Sequence, residues 1–376
     1  MSRERPTFDE AFWQQPVYGF DQTSKAAWLL PRLYQLHSWH LQQCPAYQQL
    51  QRRFVAEQPG KPVPWQAWHD CIPLHVRLFK EYELRSVPAE QVIKVLTSSG
   101  TSSAKVSRIL LDSETASAQA KALVRIMQHW LGKERLPMLI IDHPNVIRDR
   151  ASFSARGAGI QGMQIFGRQL CYALNDDLSP NWPALDDWLA RHQGGPILVF
   201  GFTFMVWQWL QALAQQGRQL DLSQGVLVHG GGWKKLQQLA VNNQQFKQQV
   251  RQLTGMARVH NFYGMVEQVG SVFVECEHGH LHSPAFAEVV IRRAGDLAPL
   301  PVGEEGVIQV LSALPLSYPG HSILTEDRGR ILGQDDCPCG RPGRYFSVLG
   351  RVARAEQRGC SDTVAVTAGE QHAVAL

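Results

Sequence analysis

Short apolar runs separated by longer stretches of helical period dominate the middle of this chain, and that alternation restricts its fold more than any other feature. The runs lie at 138–141, 197–200, 226–228 and 259–262, each too short for a helix that packs on its own. Between them, residues such as Leu123, Ile126, Met127 and Trp130 recur at the three- and four-residue spacing of a helix face. Strands separated by helices predict an α/β core with a largely parallel sheet. From 288 to 310 the pattern changes to short β-like runs broken by Gly295, Pro299, Pro301, Gly303 and Gly306, which predicts a smaller antiparallel, β-rich subdomain. Upstream, Trp28, Leu29, Leu33, Leu36 and Trp39 form a helical stripe, followed by Pro-containing connections from 59 to 73. The partition expected is a helical N-terminal region at 1–90, a core at 91–350 and a mobile C-terminal tail at 351–376. A length of 376 residues accommodates it.

Composition removes several classes. With 44% hydrophobic and 19% charged residues the chain is neither disordered nor collagen-like nor a coiled coil. Lys and Arg number 37 against 33 Asp and Glu, a net charge of +4 without single-sign runs, so no nucleic-acid footprint is expected. The charge-free stretch at 193–216 is interrupted by Gly194, Gly195, Pro196 and Gly201, and reads as a strand followed by a helix rather than a transmembrane segment. The first ten residues are polar, without a secretory signal, and a cytoplasmic location is expected. Seven cysteines, an odd number in a large chain of this kind, favour metal binding or thiol chemistry over a disulfide framework.

Three segments carry the chemistry. Thr97-Ser98-Ser99-Gly100-Thr101-Ser102-Ser103-Ala104-Lys105 places six hydroxyls, a glycine and a lysine between two strand-like runs. Hydroxyls and free N–H groups on such a loop can surround phosphate oxygens while the lysine supplies countercharge. It is not the G-x-x-x-x-G-K-[ST] loop, and its composition alone reads equally as a serine-rich linker. His229-Gly230-Gly231-Gly232-Trp233 follows a strand, where α/β sheets bind ligands at the carboxyl ends of their strands. Its letters resemble an esterase oxyanion motif, but the chain has no G-x-S-x-G elbow to go with it. Three glycines otherwise suggest close approach to something flat or anionic, or a plain turn. In Tyr263-Gly264-Met265-Val266-Glu267, a tyrosine able to stack on a base precedes a carboxylate able to hold Mg2+ beside phosphates. Downstream, Asp327 could accept from a ribose diol, and Gly350-Arg351 offers a cation.

Taken together, these segments resemble the adenylate-forming superfamily and, within it, the LuxE-type acyl-protein synthetases of bacterial fatty-acid reductase systems. The resemblance runs from Cys44-Pro45-Ala46-Tyr47 through Pro73-Leu74-His75-Val76-Arg77-Leu78-Phe79-Lys80, the 97–105 loop, Gly201-Phe202-Thr203-Phe204, Gly230-Gly231-Gly232-Trp233-Lys234 and Ser317-Tyr318-Pro319 to Arg358-Gly359-Cys360. It implies an α/β fold like the large N-terminal domain of adenylate-forming enzymes, with a small β-rich subdomain and without the usual C-terminal lid domain. It also implies a reaction: ATP and Mg2+ activate a fatty acid as acyl-AMP, Cys360 captures the acyl group as a thioester, and a partner acyl reductase receives it. Under that implication Thr97, Ser98, Ser99, Gly100 and Thr101 grip the phosphates of ATP. Gly230, Gly231, Gly232, Tyr263 and Gly264 flank the adenine, Asp327 and Arg351 attend the ribose side, and Lys105 and Glu267 assist the chemistry, with Glu267 on Mg2+. Lys234 and Lys235 are further candidates for an adenylation lysine.

A further cluster combines Cys276-Glu277-His278-Gly279-His280-Leu281-His282 with Cys337-Pro338-Cys339. Three thiols and one imidazole satisfy tetrahedral zinc, and the expected ligands are Cys276, His282, Cys337 and Cys339, with His278 and His280 competing for the nitrogen position. The cluster resembles a site in some phenylacetate-CoA-ligase-like relatives, so an acyl- or aryl-CoA ligase is the alternative function. A non-catalytic nucleotide-binding subunit is a third reading.

Overall fold

The computed structural model describes residues 5–57, 65–98, 106–147, 155–192, 194–233 and 240–352. The N-terminal part comprises α1 (Glu10–Gln14), α2 (Gln22–Gln43), α3 (Pro45–Glu57), the short strand β1 (Leu74–His75) and α4 (Leu78–Glu81). Asp21 caps α2 by accepting a 2.8 Å bond from the Ser24 N–H, and Leu29, Leu33 and Leu36 of the predicted stripe are fully buried. A hairpin follows, β2 (Lys94–Thr97) and β3 (Arg108–Leu111), which forms its own two-stranded sheet. Then come α5 (Ser113–Leu131), β4 (Leu136–Ile141), α6 (Ala155–Met163), β5 (Gly167–Tyr172), α7 (Trp182–His192), β6 (Leu198–Phe202), α8 (Thr203–Gln215), β7 (Val226–Gly230), α9 (Asn243–Thr254) and β8 (Arg258–Tyr263). The chain continues as strands: β9 (Phe273–Glu275), β10 (Leu281–His282), β11 (Ala287–Arg292), β12 (Gly306–Ser312), β13 (Ser322–Gln334) and β14 (Arg344–Arg351).

The apolar runs are continuous rather than alternating because both faces of their strands are covered. Met138, Ile140, Leu198, Phe200, Val226 and Val228 enter one core, while Leu139, Ile141, Val199 and Leu227 enter the core on the opposite face. β5, β4, β6, β7 and β8 lie side by side in parallel. From β8 the same sheet continues antiparallel through β9, β10, β14, β13, β12 and β11, so the predicted β-rich part is hydrogen-bonded edge-on to the parallel half. β1 joins it in parallel on β13, Leu74 opposite Ile323 and His75 opposite Leu324. Among the described residues no helix is long and apolar enough to cross a membrane.

Candidate active site and metal centre

Two neighbouring strand ends and a distant strand pair build the first site. β8 delivers Tyr263 at its carboxyl end, and the next turn carries Gly264 and Glu267. β13 and β14 pair with Asp327 opposite Arg351. The Tyr263 hydroxyl donates to Asp327 Oδ2 at 2.7 Å, and Arg351 Nε lies 3.6 Å from Asp327 Oδ1. Burial pushes the Asp327 carboxyl above its ordinary range, while the Tyr263 bond and the Arg351 charge pull it back.

Glu267 is buried and stands on the same side. Burial raises its pKa, opposed by the Ser107 hydroxyl beside its carboxylate, which stops short of a well-formed hydrogen bond, and by the charges of Lys80 and Arg351. Its backbone is pinned: Tyr318 Oη donates to the Glu267 carbonyl at 2.8 Å. Ser107 closes the neck of the hydroxyl-rich loop. Its N–H donates to Ser98 Oγ at 2.9 Å, and the Ser98 N–H donates to its carbonyl at 3.2 Å. The loop therefore springs from a point next to Glu267. Thr97 and Ser98 belong to that neck, whereas Ser99, Gly100, Thr101 and Lys105, like Lys234, Lys235 and Cys360, lie outside the described residues.

The glycine turn flanks Tyr263 because the register of β7 and β8 sets Gly230 opposite Phe262. Two of its glycines accommodate the protein's own rings. A Cβ on Gly230 would stand 2.6 Å from the Phe262 ring, and one on Gly231, whose φ is +79°, would stand 3.0 Å from Phe202. Among the described residues nothing lies within 4 Å of a Cβ built on Gly232. Spacing along the chain did not single out Ser107 as a member of this group.

The second site lies where β10 joins β9 to β14. Cys276 follows β9, His282 ends β10, and Cys337 and Cys339 sit in the turn between β13 and β14. β10 pairs with both β9 and β14, so the strand register joins the two cysteine-bearing turns. Their Sγ atoms and one His282 nitrogen all lie within 4.8 Å of one another. Cys276 Sγ is 4.0 Å from Cys337 Sγ, and Cys339 Sγ is 3.3 Å from His282 Nε2. A tetrahedral zinc with bonds of about 2.0–2.3 Å sets its ligand atoms roughly 3.5–3.8 Å apart, so the donor set fits in chemistry and spacing. None of the three thiols forms a disulfide. His280 touches the group, with Nδ1 3.2 Å from Cys337 Sγ, but the mutually close set contains His282.

The chain is similar to known proteins. A long-chain-fatty-acid–luciferin-component ligase of Vibrio harveyi is 24% identical over 176 residues, 46% of this chain, and the match spans 45% of that relative's length. Among solved structures, an open conformation of 2-hydroxyisobutyryl-CoA ligase in complex with 2-HIB-AMP and CoA superposes with a TM-score of 0.67 at 16% identity, covering 92% of this chain and 79% of that one. The postadenylation state of the same ligase also gives a TM-score of 0.67 and 16% identity, covering 92% of this chain and 72% of that one. The fold is thus the α/β fold of adenylate-forming enzymes. The profile described as acyl-protein synthetase, LuxE, matches residues 36–367, and the chain belongs to that family.

Proposed function

We propose that this chain is an ATP-dependent acyl-protein synthetase acting in the cytoplasm on a long-chain fatty acid. The observation that carries the reading is the convergence of Tyr263, Glu267, Asp327 and Arg351 beside the neck of the hydroxyl-rich loop, in a chain of the LuxE family. A carboxylate is a poor electrophile, and the first step remedies this. A carboxylate oxygen of the fatty acid forms a bond to the α-phosphorus of ATP, the bond to the bridging oxygen breaks, and pyrophosphate leaves. Tyr263 offers its ring to the adenine, Gly232 leaves space beside it, and Asp327 accepts from the ribose hydroxyls, with Arg351 fixing its orientation. Residues 97–105 surround the phosphates, with Lys105 supplying positive charge. Glu267 would hold Mg2+, which neutralises phosphate charge when bound. In the second step the Cys360 sulfur bonds to the acyl carbon, AMP leaves and the thiol proton passes to solvent. The thioester is then handed to a partner acyl reductase. A structural zinc on Cys276, His282, Cys337 and Cys339 belongs to the same reading and keeps no open position for catalysis.

Asp327→Ala should weaken ATP binding by roughly ten- to a hundredfold, since a hydrogen bond to a charged group is worth about 1.5–3 kcal/mol. Calorimetric titration checks it, and unchanged affinity would remove Asp327 from the nucleotide site.

Labelled fatty acid and ATP test the whole reading. The parent protein should retain label after denaturation and lose it to neutral hydroxylamine, while Cys360→Ser should still form acyl-AMP but hold no such label. If the variant labels like the parent, or if only added coenzyme A becomes acylated, the CoA-ligase reading replaces this one.

A further inference from the structure

The turn that carries Cys276 brings a second imidazole to the metal cluster. The Gly279 N–H donates to the Cys276 carbonyl at 2.9 Å, and the Cys276 N–H donates to the His280 carbonyl at 2.8 Å. These bonds tie the backbone of His280 to one of the cysteine ligands. Its ring is held separately, stacked on Tyr345 with centroids 4.7 Å apart and planes 21° from parallel. Tyr345 stands opposite His282 in the β10–β14 register, and its hydroxyl donates to Asp336 Oδ1 at 3.0 Å, one residue before Cys337. Held in this way, the half-buried His280 sets Nδ1 3.2 Å from the sulfur of the buried Cys337.

That contact is not needed to complete the coordination. Cys276, His282, Cys337 and Cys339 already offer four donor atoms within 4.8 Å of one another, and His280 is not among them. Four ligands close a tetrahedral zinc site. Their charge is left unbalanced, because three thiolates and a neutral imidazole around Zn2+ carry one excess negative charge. Such charge on sulfur attracts an N–H donor, and hydrogen bonds to charged acceptors are the stronger kind. A ligating histidine commonly supplies outer-shell support by donating from its second nitrogen. Here His282 Nδ1 is buried and meets no hydrogen-bond partner among the described residues, so the outer contact falls on sulfur.

We propose that His280 is a positioning residue of this metal centre and not a ligand: its Nδ1–H donates to the Cys337 thiolate, holding the sulfur on the metal and drawing off part of its charge. The role rests on the structural-zinc reading above. When the metal binds, Cys337 gives up its thiol proton to solvent as the sulfur–metal bond forms. The neutral imidazole keeps its single ring proton on Nδ1, facing the sulfur. No proton passes between the two residues.

The experiment uses the full-length parent, His280→Phe and His280→Asn. Phenylalanine keeps a ring for Tyr345 and removes the donor, whereas asparagine sets an amide N–H near the place of Nδ1. Each protein, stripped by chelation, is titrated with Zn2+ against a chromophoric chelator and separately with Co2+, whose visible bands report thiolate ligation and geometry. His280→Phe should still bind one metal per chain with the parental cobalt spectrum, but about ten- to a hundredfold more weakly. The melting temperature of its metal-free form should match the parent's, and His280→Asn should recover part of the affinity. Parental zinc affinity in His280→Phe would overturn the role. Loss of one-to-one binding or of the tetrahedral thiolate spectrum would also overturn it, because His280 would then be a ligand. A fall in melting temperature as large without metal as with it would overturn it as well, since a purely structural role acts on both forms. A parent that binds neither metal would overturn the zinc reading itself, and the role of His280 with it.

Discussion

Cys337→Ser should abolish stoichiometric zinc binding and lower the stability of the protein by several kcal/mol, on the order of 5. The size of the effect follows from what the cluster joins. Cys276 belongs to a turn closed by the Gly279 N–H on the Cys276 carbonyl at 2.9 Å, and Cys337 to one closed by the Gly340 N–H on the Cys337 carbonyl at 2.9 Å. Between these turns the two-residue strand β10 pairs with both β9 and β14, and an exposed ion pair, Arg341 Nη1 to Glu277 Oε2 at 3.4 Å, is a further link. A metal bridging them therefore closes a contact between segments some sixty residues apart in sequence, as the cysteine pair separation of 61 indicates. An unfolded chain offers no preformed site, so metal affinity appears as folding free energy. Metal analysis of the parent purified without chelator should give about one zinc per chain. Treatment with a strong chelator at neutral pH should lower its melting temperature towards that of Cys337→Ser. A parent that is stable, active and free of zinc would end the assignment.

Unfolding free energy should be nearly flat above pH 7 and fall steeply below pH 6. His37, His40 and His321 are buried together between α2 and the approach to β13, with Tyr47 and Trp65 around them. His40 stacks on His321 with centroids 5.1 Å apart, its Nδ1 meets Ser86 Oγ at 2.7 Å, and its Nε2 meets the Pro315 carbonyl at 3.2 Å. Burial drives His37 down to about 4 and His40 down to about 3. Burial and the two neighbouring imidazoles carry His321 well below its ordinary value. A folded-state pKa below the unfolded one means that the unfolded chain binds more protons as pH falls. The stabilisation is therefore complete above the unfolded value near 6.5 and is lost progressively down to the folded values. Each histidine contributes a slope of about 1.4 kcal/mol per pH unit within that window, so three contribute about 4. Urea unfolding at pH steps from 8 to 4.5 measures the slope. His321→Phe should lower the slope by about 1.4 kcal/mol per pH unit, the share of one histidine, and the contributions of His229 and of any metal release are common to both proteins. Identical slopes in parent and variant would show that the histidine cluster does not govern acid stability.

The parallel half was legible because both-face burial leaves a local mark, an unbroken apolar run, as in Met138, Leu139, Ile140 and Ile141. The helices were legible from their periodic stripes, α2 and α5 among them. The tight spacing of Cys276, Cys337 and Cys339 marked them as candidate metal ligands, and the fold brings their Sγ atoms together. For the nitrogen position the sequence named His282 with His278 and His280 competing, because in a strand residues two apart share a face and the three are equivalent by period. The packing of β10 between β9 and β14 chooses His282, whose Nε2 meets Cys339, while His280 lies over Tyr345 with centroids 4.7 Å apart.

By itself the sequence determined the α/β class, the order of its elements, the clustering of cysteine and histidine side chains and the Tyr-Gly-x-x-Glu turn, since each is written within a few residues of chain. Only the tertiary structure decided that Ser107 stands beside Glu267, that Gly230 and Gly231 make way for Phe262 and Phe202, and that three histidines share one buried cluster. Those contacts depend on strand pairing across most of the chain, as β1 on β13 illustrates. Pairing and register are set when the two cores close, and local periodicity does not encode which distant strands meet.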